Sequence, residues 1–272
     1  MSNRQNRITT YRIVKTTVAV GVVLSCLSIA GCGHSDSSKA EADPVIEVIT
    51  SLPEQTESPV PEPASEPAPD PTPEPEPDPA ESFYAEEISD EIFARMEGKS
   101  FPEECTTSRE DLRYLHLLYR DIEGRAHEGE MVCNAAISSK LIDIFRKLYE
   151  AGYPIERMVL IDDYDADDMA SMSDNNTSCF NFRVVSGTAK LSKHALGMAV
   201  DINPRYNPYV YTRDGETHIE PDNGADYTDR SADFDYKIDT DDLAYKLFTE
   251  AGFTWGGAWK NTKDYQHFQI SE

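Results

Sequence analysis

Ser192-Lys193-His194-Ala195-Leu196-Gly197-Met198-Ala199-Val200-Asp201, followed much later by Trp255-Gly256-Gly257-Ala258-Trp259 and Asp264-Tyr265-Gln266-His267-Phe268, is the stretch whose reading decides this chain. Ala199 to Ile202 alternates like a half-buried strand, and the small Gly197 and Ala199 let the backbone pass close to a neighbour. Successive strand residues point to opposite faces, so Asp201 shares a face with Ala199 and opposes Val200. His194 then sits in the loop leading in. The segment from Tyr265 to Ile270 alternates in the same way, with His267 and Tyr265 on one face, Gln266 and Phe268 on the other, and Asp264 at the strand mouth.

Two imidazoles and a carboxylate, His194, His267 and Asp201, form a ligand set suited to Zn²⁺ that leaves one tetrahedral position open. Asp264 supplies a nearby carboxylate that can act as base. The opposing reading is an ordinary His–Asp hydrogen-bonded pair, which a short His-x6-Asp spacing more often represents. The chain has six His, and these two fall in its stretches richest in glycine and aromatic residues.

Two strings, S-x-H-x-x-G-x-A-x-D at Ser192 to Asp201 and F-x-W-G-G-x-W-x4-D-x-x-H-F at Phe253 to Phe268, resemble the zinc D,D-carboxypeptidase and L-alanyl-D-glutamate endopeptidase family of VanY-like peptidoglycan peptidases. The similarity extends from about residue 105 onward. It includes Asn175 to Arg183, similar to the family's segment with an active-site arginine, and Asp201-Ile202-Asn203-Pro204 with Asn207-Pro208. The resemblance implies His194, Asp201 and His267 as zinc ligands, Asp264 as general base and Arg183 as the cation facing the scissile carbonyl. An always-charged guanidinium suits a developing oxyanion, whereas its plainer role would be a surface salt bridge. Ser192 and Trp259 are the expected substrate contacts, although Ser192 could instead orient the His194 loop through a hydroxyl bond to backbone. Ala258 and Gln266 depart from the family pattern, where an acid and a proline are frequent, and imply altered substrate contacts.

Arg4, Arg7, Arg12 and Lys15 precede an apolar run from Val18 to Ala30 that is short for a membrane span and ends in Ile29-Ala30-Gly31-Cys32. Residues 1–31 therefore read as a signal peptide. The tetrapeptide resembles a lipobox, which implies cleavage before Cys32, lipid on its sulfur and anchoring to the outer face of a bacterial cytoplasmic membrane. Residues 32–81 read as an acidic, proline-rich linker with too little apolar surface to fold: residues 34–81 hold thirteen Asp and Glu against one Lys, and eleven of the seventeen Pro lie between Pro53 and Pro79. In a polyproline conformation that last stretch would reach about 80 Å.

The formal charge of the whole chain is −25. Without residues 1–31 it holds 21 Lys and Arg against 50 Asp and Glu, a net of −29; from residue 82 onward the net is −17. Such an acidic surface excludes nucleic acid as a plausible ligand and leaves lipid, not protein surface, as the membrane attachment.

Residues 82–272 suffice for one domain with its own core, which we expect to be monomeric. Helices are expected over Ser82–Glu97, Ser108–Tyr119, Ser138–Ala151 and Thr240–Ala251, the third capped by Ser138 and Gly152 and the fourth ended by Gly252. Strands are expected at Met158–Ile161, Phe180–Arg183, Met198–Ile202 and His267–Ile270. The pattern gives an α+β class with a small antiparallel sheet and helices around the zinc site, the fold type of hedgehog-like peptidases by resemblance. The acid-rich run Asp162–Asp168 lacks the glycine and terminal glutamate of an EF-hand and reads as a solvated loop on the substrate side. His127 reads as a loop histidine. Once Cys26 leaves with the signal and Cys32 is acylated, Cys105, Cys133 and Cys179 allow at most one disulfide; Cys179, near Arg183 but without a His motif of its own, reads as structural.

Three functions compete. The first is a zinc peptidase of peptidoglycan stem peptides, with L-alanyl-D-glutamate endopeptidase favoured by the W-G-G-x-W string over D-alanyl-D-alanine carboxypeptidase. The others are an inactive zinc-containing wall-binding module, which Asp264 and Arg183 speak against, and a purely structural tethered lipoprotein, which needs none of the site residues.

Overall fold

The computed structural model describes residues 77–185 and 188–271. The expected signal peptide, the acyl site Cys32 and the linker up to residue 76 lie outside the described residues. Those described fall in one unit, residues 69–272. In chain order its elements are helix α1 (Pro79–Ser82), strand β1 (Tyr84–Glu87), α2 (Asp90–Met96), β2 (Leu112–Arg120), β3 (Ala126–Asn134), α3 (Ala135–Glu150), α4 (Asp168–Ser173), β4 (Ala199–Asp201), β5 (Tyr209–Arg213), β6 (Glu216–Glu220), α5 (Leu243–Glu250), β7 (Thr254–Trp255), β8 (Lys263–Asp264) and β9 (His267–Gln269). The class is α+β, with three antiparallel three-stranded sheets where the sequence suggested one: β1-β2-β3, β4-β9-β7 and β6-β5-β8.

The first sheet and α3 build the main core. Ile137, Leu141, Ile144, Phe145 and Leu148 recur at helical spacing on one buried face of α3 and pack with Leu115, Leu117 and Tyr119 of β2. The same core includes Val200 of β4, Phe268 of β9 and Phe248 of α5, so the site-bearing sheet is seated on it directly. A smaller cluster of Met96, Leu112, Tyr114, Val132, Leu160 and Phe180 fills the other side.

Several expected elements differ. Ser108–Tyr119 is not a helix: its Leu-rich run is β2, paired along its whole length with β3. Both faces of that strand are covered by apolar clusters, and a run buried on both faces carries no period-2 signature to separate it from a helix. Ser82–Glu97 splits, because Tyr84–Glu87 pairs with Arg113–His116 and Ser89 accepts a bond from Ile92 N to start α2 afresh. The cap of α3 is Asn134, whose Oδ1 accepts from Ala136 N at 3.0 Å, while Ser138 lies inside the helix. Met158–Ile161 is not a strand; the Val159 backbone is held at both its N–H and its carbonyl by the Asn176 carboxamide. Phe180–Arg183 forms none either, since Phe180, Asn181 and Phe182 donate to Val132, His194 and Ser100, three separate segments that make no ladder. The helix expected over Thr240–Ala251 begins at Leu243, where Asp242 Oδ1 accepts from Ala244 N and Tyr245 N. Cys105, Cys133 and Cys179 are free thiols, so the one disulfide that the count allowed is not formed.

Candidate metal centre and its cavity

Asp201 lies directly opposite His267 in the β4–β9 register, which brings the two side chains side by side. The strand pair is pinned further: Asp201 N donates to Ser178 O at 2.9 Å, Ser178 N donates back at 3.1 Å, and Ile202 N donates to Gln266 O at 3.1 Å. The Ala199–Asp201 segment is buried on both faces, not half-buried as its alternation suggested. His194 arrives from a short 3₁₀ turn, His194–Leu196, that ends at Gly197 with φ 64°. A side chain at Gly197 would also stand 2.6 Å from Asn134 N, so both the backbone conformation and the space require glycine there.

The three side chains converge. His267 Nδ1 lies 2.9 Å from Asp201 Oδ1, His194 Nε2 lies 3.1 Å from Asp201 Oδ2, and the two imidazole nitrogens are 3.2 Å apart. All three residues are buried. The far nitrogens are also held: His194 Nδ1 donates to Cys179 O at 2.6 Å and His267 Nε2 donates to Gln269 Oε1 at 3.1 Å. Those bonds select tautomers whose lone pairs, at His194 Nε2 and His267 Nδ1, face the carboxylate. Potential ligand atoms of all three then lie within 4.8 Å of one another, an arrangement of acceptors that repels itself unless a cation sits among them. The donor set therefore fits a divalent metal of the kind that imidazole and carboxylate bind.

A cavity of about 570 Å³ opens beside this cluster. Asp201 and His267 line it together with Asp168, Arg183, Trp259 and Asp264; His194 is outside the lining. Asp264 sits at the end of β8 against Gly256, where an added Cβ would come 2.6 Å from Asp264 O, which gives the first glycine of the Trp-Gly-Gly string its reason. The second, Gly257, lies on the Trp255 ring, whose Nε1 donates to Tyr265 O at 2.9 Å. Burial raises the Asp264 carboxyl to about 7, with the pull of His267 and Arg183 opposed by the nearby Asp201 charge. Its Oδ1 is buried without a hydrogen-bond partner.

Arg183 forms the salt bridge weighed for it and also borders the cavity. It pairs with Asp168 Oδ2 at 2.7 Å and lines the cavity, while its Nε is buried and unpartnered. Ser192 Oγ accepts from His194 N at 3.2 Å, the orienting bond considered above, and the residue also lines the cavity. The Trp259 ring lies 5.5 Å from that of His267. Cys179 is a buried thiol raised well above its ordinary value, first by desolvation; its carbonyl, not its sulfur, serves the site. The acid-rich run is largely solvated, with Asp163, Asp165 and Asp167 exposed, and it begins in a short 3₁₀ turn, Ile161–Tyr164. Asp162 is buried and accepts from Ser100 N, Asp163 and Asp165 pair with Arg95 and Lys99, Asp167 caps α4, and Asp168 alone reaches the cavity. His127 bonds to Asp121 at 2.8 Å and does not line the cavity.

Sequence reasoning missed Asp168 and Gln269. Gln269 was accessible through the period-2 rule, since it shares a strand face with His267 two residues earlier. Asp168 was not, because its bond to Arg183 depends on how α4 is placed.

Residues 186–270 match the family model described as D-alanyl-D-alanine carboxypeptidase. That segment, about a third of the chain, contains all three converging residues and Asp264, so the similarity to that peptidase family falls on the candidate metal centre. No curated protein and no solved structure matches the chain.

Proposed function

We propose that this chain is a zinc-dependent peptidase that cuts the peptide stems of bacterial peptidoglycan, with His194, Asp201 and His267 holding the metal. The observation that carries the reading is the convergence of these three residues, far nitrogens already hydrogen-bonded, on a cavity that also contains Asp264 and Arg183. A zinc ion there supplies Lewis-acid polarisation of the scissile carbonyl. Asp264, with a carboxyl raised to about 7 by burial, takes a proton from the attacking water and returns it to the leaving amine. Arg183, oriented by Asp168, donates to the developing oxyanion. Trp259 and Ser192 border the substrate, with Trp259 packed beside His267.

Within this reading, the W-G-G-x-W string favours L-alanyl-D-glutamate endopeptidase. The matched family's description favours the second reading, D-alanyl-D-alanine carboxypeptidase. Incubation of the zinc-loaded protein with purified muropeptides, with new termini identified by mass, separates them. A free L-alanine carboxyl marks the first and released D-alanine the second, while intact muropeptides would reject both and favour the wall-binding module.

We further propose that the chain is a lipoprotein anchored through Cys32 to the outer face of the cytoplasmic membrane and acts as a monomer, with the acidic, proline-rich segment between the anchor and the domain. One or more acyl chains would contribute about 0.8 kcal/mol per buried CH₂ to that attachment. Cell fractionation of Cys32→Ala should release the protein, and membrane retention would reject the anchor.

A further inference from the structure

The β5–β6 hairpin supplies part of the cavity wall, yet the proposed reaction gives it no role. Its register decides which side chains face inward. Tyr209 of β5 lies directly opposite Asp264 of β8 on one side and Glu220 of β6 on the other. Residues directly opposite in an antiparallel ladder project to the same face, and all three line the cavity, whereas Val210, Ile219 and Lys263, which alternate with them, do not. The cavity-facing side of this sheet is therefore the row Glu220, Tyr209, Asp264, and the Cβ of Tyr209 stands about 4.5–5.5 Å from that of the proposed base.

Tyr209 is half-buried, so it has surface to offer a ligand. Its ring is also fixed. It stacks on Tyr211, two residues along the same face, at 4.7 Å between centroids; Tyr211 in turn stacks on His218 at 5.0 Å and donates to Glu220 Oε1 at 2.8 Å. A ring held in such a ladder cannot swing aside for a large group without losing its aromatic contacts. A peptide bond presented to Asp264 therefore has a rigid ring beside it.

The two candidate bonds share one feature: in L-alanyl-D-glutamate and in D-alanyl-D-alanine alike, alanine carries the scissile carbonyl. We infer that Tyr209 is a specificity-determining residue whose ring restricts that position to a small side chain. This role rests on the proposed substrate class and deepens it. Tyr209 touches substrate but moves no proton. Its contribution is exclusion: a larger side chain overlaps the ring, and a packed wall relieves such overlap only by giving up contacts of its own.

The test uses two series of synthetic stem peptides, one for each candidate bond, with alanine, 2-aminobutyrate or leucine at the residue that carries the scissile carbonyl. Affinity is measured by calorimetry on the zinc-loaded protein, and relative kcat/KM by competition between peptides of one series. In the series that the protein accepts, the wild type should favour alanine over leucine by about tenfold or more. Tyr209→Phe keeps the ring and should keep that preference. Tyr209→Ala opens the wall and should remove it, so that the leucine peptide binds at least as well as the alanine peptide. A merely structural Tyr209 would instead change all peptides of a series by one common factor. An unaltered alanine preference in Tyr209→Ala, or none in the wild type, overturns the inference. Tyr209→Leu is the second variant should Ala fail to fold: its smaller, unstacked side chain should narrow the preference, and an unchanged preference there overturns the inference as well. Alanine-selective cleavage that does not depend on Tyr209 would leave the proposed function standing alone. Tyr209-dependent selection among peptides that bind without being cut would do the reverse, and absence of peptide binding to the wild type would overturn both.

Discussion

The two walls of the cavity are built on opposite principles. Among the three converging residues the outer atoms are engaged within the fold: His194 is held by Cys179 O and His267 by Gln269, with Asp201 between them. Of the other residues that line the cavity, Arg183 is tied at one end to Asp168, while its Nε and Asp264 Oδ1 are buried without a hydrogen-bond partner. The difference teaches where each wall finds its partner. The first is oriented from within the fold and can be preorganised for a cation; the second carries unpaired buried polar atoms at a cost in stability.

Breaking the engaged wall should have the largest effect. His267→Ala removes one of three ligands and should take bound zinc from about one per chain to near none, with hydrolysis abolished. Elemental analysis of the dialysed variant checks this, and full zinc occupancy would remove His267 from the ligand set.

On the open wall, Asp264→Asn keeps shape and should retain zinc while turnover falls by about 10² or more, because proton transfer is lost. Near-normal turnover with zinc in place would mean that another group is the base. The contrast between the two variants, metal lost against metal kept, is the sharpest expression of the two walls.

A smaller effect is expected one bond behind the ligands. Gln269→Ala deletes the acceptor that holds His267 Nε2–H, so the ring can rotate or present the wrong tautomer. Zinc affinity should weaken by about 10–100-fold, measured by chelator competition, with the fold intact. Unchanged affinity would show that strand packing alone orients His267.

The same contrast explains what could be read from sequence. His194, Asp201, His267 and Asp264 were visible because their chemistry is carried by residue type at short local spacings within two motifs. The β4–β9 pairing that joins those motifs follows alternation that is also local. By contrast, β2 hid as a helix because its apolar residues serve two cores at once, and Phe180–Arg183 and Met158–Ile161 resembled strands although their backbone groups bond to scattered partners. The hairpin of β5 and β6 was not anticipated. The place of Asp168 at the cavity follows from tertiary placement, which no local pattern encodes.

Asp242 extends the comparison to a half-buried carboxyl outside the cavity lining. Like Asp264 it is raised by burial, to about 6, but it is satisfied: it caps α5 through Ala244 N and Tyr245 N and accepts from Tyr153 OH at 3.2 Å. Its folded value lies above the ordinary value of 3.8, so between roughly pH 4 and 6 the folded state binds more proton at this site than the unfolded chain does, and stability falls as the pH rises. Below about 4 this contribution is fully present; above about 6 it is gone and the group adds no further slope. Asp242→Asn keeps a good helix cap while removing the titration. Denaturant unfolding at pH 4 and pH 6.5 should therefore show the wild type losing about 1–2 kcal/mol more than the variant across that interval, a figure reduced for the partial exposure of the residue. Equal losses in the two proteins would mean that the cap bonds to Ala244 and Tyr245 hold Asp242 ionised in the fold, and that burial without an open oxygen does not suffice to raise a carboxyl here.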